Sequence, residues 1–130
     1  MHRITRPRPA TLLWALAIAI LLLAPSPVGG PETWWFLTLE RLQADKLVHL
    51  VLFAVQAVLG RRWARAAGLR APDLWALAAT VAYGALTELL QLYVPGRDGD
   101  LFDLAADGTG AVLAVVLARW RERSVRRGAA

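Results

Sequence analysis

A glutamate stands where an apolar chain has no use for one. Glu88 lies inside the run from Leu74 to Val94; beyond a tight Pro95-Gly96 turn the next apolar run opens with Asp103 and Asp107. Placing such groups beside lipid costs roughly 2.5–3.5 kcal/mol each on insertion scales, so an ionisable residue within an apolar span marks a candidate functional site. The stretch Glu88-Leu-Leu-Gln91-Leu-Tyr-Val-Pro95-Gly96-Arg97 therefore constrains the rest of the chain. The fold has to shelter long apolar segments and bring partners to these carboxylates.

Composition says where that shelter is. Hydrophobic residues make up 57% of the 130 positions and charged ones 19%, against about 25% charged in ordinary soluble domains. Twelve of the fifteen basic residues fall in three blocks: Arg3, Arg6 and Arg8; Arg61, Arg62, Arg65 and Arg70; and Arg119, Arg121, Arg123, Arg126 and Arg127. These blocks alternate with acidic connections, the pattern of the positive-inside rule, so the net charge of +5 does not point to nucleic acid. The absence of cysteine excludes disulfides, thiolate chemistry and Cys-based metal sites.

The apolar periodicity predicts an all-α, integral membrane four-helix bundle in one domain. A basic arm (1–9) precedes helices at about 10–24, 46–60, 74–94 and 103–119, and a basic tail (121–130) follows. The first helix spans about 22 Å, against a hydrocarbon core of about 30 Å. It could be the apolar core of a signal peptide, but Ala24-Pro25-Ser26 followed by Pro27 is a poor cleavage region, which favours a retained helix. Trp34 and Trp35 suit an interfacial anchor, with a lipid- or sugar-stacking platform as the alternative. Trp14, Trp63, Trp75 and Trp120 fall near basic helix ends, as an inner aromatic belt would. Ala106, Gly110, Ala114 and Ala118 form a ridge of small residues at every fourth position, which lets a neighbouring backbone approach. Three basic blocks put both termini and the 61–70 loop in the cytoplasm, with eight of the ten acids in the outer half.

Depth is the decisive inference. His49, Glu88 and Asp107 each lie four to six residues inside the outer ends of their predicted helices, which puts all three roughly 6–9 Å below the outer boundary. Asp45, His49 and Gln56 share one face of their helix, and Thr80, Gly84, Glu88 and Gln91 form a stripe on the next. The expectation is an outward-facing polar pocket with an apolar floor. His49, with Asp45 or Glu88, is a candidate general base, and Glu88 a candidate acid. Alternatively the same groups only pin helices together: Glu88 pairs with Lys46 or Arg97, and Asp103 caps its helix. A divalent metal on His49, Glu88, Asp103 and Asp107 is chemically allowed, but no paired-His or HExxH spacing supports it. Neither a metal nor another cofactor is assigned, and no serine nucleophile motif is present. Gln56 and Thr80 are the only polar groups leading toward the cytoplasmic half, too few for a proton or ion path.

Three motifs carry a family resemblance: Asp45-Lys46-x-x-His49; Glu88-x-x-Gln91-x-x-x-Pro95-Gly96-Arg97; and Asp103-x-x-x-Asp107-x-x-Gly110. Over more than half its length the chain resembles the VanZ-like family of small bacterial integral membrane proteins. That pattern usually has Asn where Asp107 stands, so this chain departs from it in the charge of the pocket. The resemblance implies a multi-pass protein of the bacterial cytoplasmic membrane engaged in cell-envelope business, the family's name coming from a member linked to teicoplanin resistance. It supplies no reaction. The residues then take these roles: His49, Glu88 and Asp103 as candidate catalytic groups, and Asp45, Lys46, Gln91, Arg97 and Asp107 as candidate contacts to a lipid or glycan head group at the outer leaflet. Membrane lipids are the expected partners. The alternative is a non-catalytic membrane scaffold or a lipid- or partner-binding module, and the oligomeric state is left open.

Overall fold

The computed structural model describes residues 9–25, 44–97 and 99–129. The first eight residues, the Trp34-Trp35 pair and Asp98 lie outside the described residues. Among the described residues there are four α-helices and no strand: α1 (Pro9–Leu22), α2 (Ala44–Ala66), α3 (Pro72–Gln91) and α4 (Leu101–Gly128). The all-helical expectation holds; the boundaries shift for local reasons.

Helix α2 continues past Arg61 and Arg62 to Ala66. It closes at Gly68, whose left-handed φ of 68° allows the Leu69 N–H to reach the Ala64 carbonyl at 3.0 Å. Pro72 begins α3, where its missing N–H costs nothing. That helix stops at Gln91, short of Val94, because the Tyr93 and Val94 N–H groups turn back to the carbonyls of Leu90 and Gln91 at 3.0 Å each. The tightened turn leads into Gly96, at φ 74°. Asp100 caps α4, its carboxylate accepting the Phe102 N–H at 2.8 Å. The basic tail is the last turns of α4, continuous to Gly128.

Helix α2 is the central element, packed against both α3 and α4, with α1 laid along it. Ile18 and Leu22 of α1 bury Phe53, and the Trp14 indole N–H donates to the Leu52 carbonyl at 3.0 Å. Deeper toward the basic end, Ala57 of α2 meets Ala111 and Val115 of α4. About one turn before Phe53, α2 and α4 approach closely. A Cβ on Gly110 would run into the backbone of Leu50, so the small-residue ridge marks a real close approach, centred on Gly110. The basic ends are tied by Arg61, buried, which donates to Asp73 on α3 and Glu122 on α4; Arg65 also pairs with Glu122, and Arg119 with Asp73.

The distribution of polarity is reversed relative to a soluble bundle. Leucines and isoleucines such as Leu13, Ile20, Leu74, Leu89 and Leu117 are more than half exposed, whereas His49, Thr80, Thr87, Gln91 and Asp107 are buried. By length and composition two helices among the described residues are long and apolar enough to cross a membrane, Asp45–Ala66 and Leu101–Gly128. The apolar pattern of the sequence predicts four spans. Helix α1 has 14 residues, about 21 Å of helix, and α3 carries the polar stripe on its buried face.

Candidate functional site

The candidate site forms at the acidic end of the bundle, where α2, α3 and α4 each contribute one polar side chain. His49 stands one turn into α2, its imidazole lying parallel to the Phe53 ring at 6.2 Å between centroids. Its Nδ1 is 3.0 Å from Asp107 Oδ1 on α4 and 3.8 Å from Glu88 Oε1 on α3. His49 and Asp107 are both 0% exposed. Room for the Asp107 carboxylate comes from Gly84: a Cβ there would lie 2.7 Å from Asp107 Oδ2. Thr87 bonds back to the Gly84 carbonyl at 2.8 Å and so keeps its hydroxyl out of the cluster.

Above this buried trio lies a charged rim. Lys46 donates to Asp100 Oδ2 at 2.9 Å and to Asp103 Oδ1 at 3.0 Å, bridging the start of α2 to that of α4. Lys46 holds the exposed Asp100 carboxyl below the usual carboxylate range, helped by the Phe102 N–H. Glu88 links rim and trio. Its Oε2 accepts the Asp100 N–H at 2.8 Å, while Oε1 faces His49 and is buried without a hydrogen-bond partner. Two donor sets of metal-ligating type share the imidazole: His49 with Glu88 and Asp107, and His49 with Asp45 and Asp103, the donor atoms in each within 4.8 Å of one another.

Six of the eight site residues picked from the sequence come together here: Asp45, Lys46, His49, Glu88, Asp103 and Asp107. The other two turn toward α1. Gln91 Nε2 donates to the Leu22 carbonyl at 3.1 Å, and Arg97 Nε to the Ala24 carbonyl at 3.2 Å. Three expectations are corrected. Asp103 does not cap α4, because Asp100 does, which leaves Asp103 in the first turn, buried and paired with Lys46. Glu88 pairs with neither Lys46 nor Arg97, since its accessible oxygen is taken by the Asp100 N–H. Asp45 is exposed and makes no hydrogen bond to His49; the carboxylate that orients the imidazole is Asp107. Sequence reasoning missed Asp100 as a site residue, although an Asp immediately before the first apolar residue of a helix, here Leu101, is a capping signal.

The family described as VanZ/LLP1 matches residues 11–122. The chain belongs to the VanZ/LLP1 family. The match covers α2 and α3 whole, most of α1 and α4, and every residue of the cluster, so the His49 trio and the Lys46 rim lie within the VanZ/LLP1 region, and the last turns of α4 with Arg123, Arg126 and Arg127 lie beyond it. No curated protein and no solved structure matches the chain.

Proposed function

We propose that this VanZ/LLP1 protein is a multi-pass protein of the bacterial cytoplasmic membrane with both termini in the cytoplasm. Its polar cluster then faces outward and binds a lipid or glycan head group at the outer leaflet. Membrane residence is supported by the reversed polarity, with apolar side chains outside and polar ones within. The outward direction is supported by the charge asymmetry: arginines gather at one end of α2 and α4, carboxylates at the other.

The observation that carries the functional reading is the convergence of His49, Glu88 and Asp107 from three helices beneath the Lys46 rim. Holding helices together in lipid needs no buried acids; small-residue contacts such as that at Gly110 do so more cheaply. Arg97 spends one N–H on Ala24, and the rest of its guanidinium serves an anionic head group. If the bound group is modified, His49 and Glu88 are the acid–base pair, with Asp107 orienting the imidazole. The envelope role, of the kind the family's link to teicoplanin suggests, follows from the VanZ resemblance.

A second reading, a non-catalytic scaffold, is favoured by how tightly the trio is closed off from solvent. Comparing lipids and muropeptides of cells with and without the protein tests the first reading. Glu88→Gln or His49→Gln that abolishes the difference at unchanged abundance supports the site. Loss of abundance in both variants supports the scaffold.

A further inference from the structure

We propose that His49, Glu88 and Asp107 hold a divalent first-row transition ion, of the Zn2+ or Mn2+ class, where α2, α3 and α4 meet. Each helix supplies one donor, and the three donor atoms lie within 4.8 Å of one another. Tetrahedral Zn2+ held by bonds of about 2.0–2.2 Å places neighbouring ligand atoms about 3.3–3.6 Å apart. The observed separations from His49 Nδ1 are 3.0 Å to Asp107 and 3.8 Å to Glu88. Asp107 has to draw back from His49 and Glu88 to close on it, each by a few tenths of an ångström.

The second observation is unused bonding capacity. Glu88 Oε1 and Asp107 Oδ2 are buried and have no hydrogen-bond partner. A buried carboxylate oxygen left in that state carries a desolvation cost of about 1–3 kcal/mol or more, and Glu88 Oε1 faces the His49 donor directly.

The third is charge. Among the described residues no lysine or arginine bonds to Glu88 or Asp107: Lys46 is taken up by Asp100 and Asp103, and Arg97 turns to Ala24. An imidazolium would balance one carboxylate and leave the other. One dication, with the imidazole neutral and ligating, balances both. Glu88 is already oriented from behind by the Asp100 N–H at 2.8 Å, the kind of outer support that metal-ligating carboxylates receive.

The donor set selects the ion. Mg2+ and Ca2+ prefer all-oxygen cages, whereas one imidazole with two carboxylates suits Zn2+ or Mn2+. With three protein ligands the ion keeps open positions, so it can polarise a phosphoryl or carbonyl oxygen of a bound head group. That last role rests on the proposed function; the ion site itself does not.

The test uses the full chain purified in detergent, stripped with chelator and titrated with Mn2+ by electron paramagnetic resonance. The expected result is one Mn2+ per chain, displaced by Zn2+ but not by equimolar Mg2+, with a nitrogen hyperfine coupling from His49. Glu88→Gln and Asp107→Asn keep side-chain size and should each weaken binding by about tenfold or more. Glu122→Gln, at the far end of α4, should bind as the parent does. Mn2+ binding without a histidine nitrogen coupling, or equally tight in the Glu88→Gln/Asp107→Asn double variant, overturns the site. So does the lack of any stoichiometric binding. Binding to anionic-lipid vesicles that is as tight for ion-free as for ion-loaded protein would overturn the ion's role toward the head group and leave the proposed function standing.

Discussion

His49 Nδ1 lies 3.0 Å from Asp107 Oδ1, a contact between α2 and α4 with both side chains shut off from solvent. Its value depends on what replaces it. In chelator-stripped protein Asp107→Asn should cost about 1 kcal/mol or less, because the amide oxygen still accepts from the imidazole N–H. Asp107→Leu leaves His49 Nδ1 buried without an acceptor and should cost about 1–3 kcal/mol. Thermal denaturation in detergent of the two variants side by side checks the difference; equal losses would mean that the charge, not the hydrogen bond, holds the helices.

Glycine positions give the sharpest steric prediction. Gly110→Ala puts a methyl group into the backbone of Leu50, which cannot step aside, so α2 and α4 must separate. Gly84→Ala meets Asp107 Oδ2 at 2.7 Å while that carboxylate is held by His49. Each should cost about 1–3 kcal/mol, the range for overpacking a core. Val112→Leu, on the exposed face of the same helix, should stay within about 0.5 kcal/mol. A melting series in one detergent separates the two classes.

The rim predicts a pH dependence. Lys46 holds the Asp100 carboxyl below its ordinary value of 3.8. A depressed pKa contributes stability that is fully present above the unfolded value and is lost as pH falls through the folded one. The stability gap between parent and Asp100→Ala should therefore be constant above about pH 5 and shrink as the pH falls below the ordinary carboxylate value. Asp100→Asn keeps the cap and should lose only the ion pair with Lys46, a smaller deficit than that of Asp100→Ala. Chemical denaturation across that pH range measures both; a gap that widens toward acid would contradict the assignment.

Much of the site is legible in the spacing of polar residues. Thr80, Gly84, Glu88 and Gln91 recur at helical intervals, and all four are buried on one face of α3. Uniform helical rise puts His49, Glu88 and Asp107 at one level, and they meet there. Pairings are less legible. Asp103 reads as the cap, and the role falls instead to Asp100, whose N–H makes a long-range bond to Glu88. Gly84 reads as a gap in a stripe, and only the approach of Asp107 explains it. The Arg-rich end of α4 has no apolar periodicity to betray a helix. It is tied by Glu122 and Arg119 to residues far away in sequence.

The central claim is that the His49 cluster faces the outside of the cell, and its most direct test is thiol accessibility. The chain has no cysteine, so single cysteines report without background. Pro95 lies in the exposed turn beside the cluster and Ala66 at the exposed basic end of α2. In intact cells Pro95→Cys should react with a membrane-impermeant maleimide, and Ala66→Cys should react only after the cells are opened. Labelling of Ala66→Cys in intact cells, with Pro95→Cys protected, would place the cluster in the cytoplasm and contradict the account.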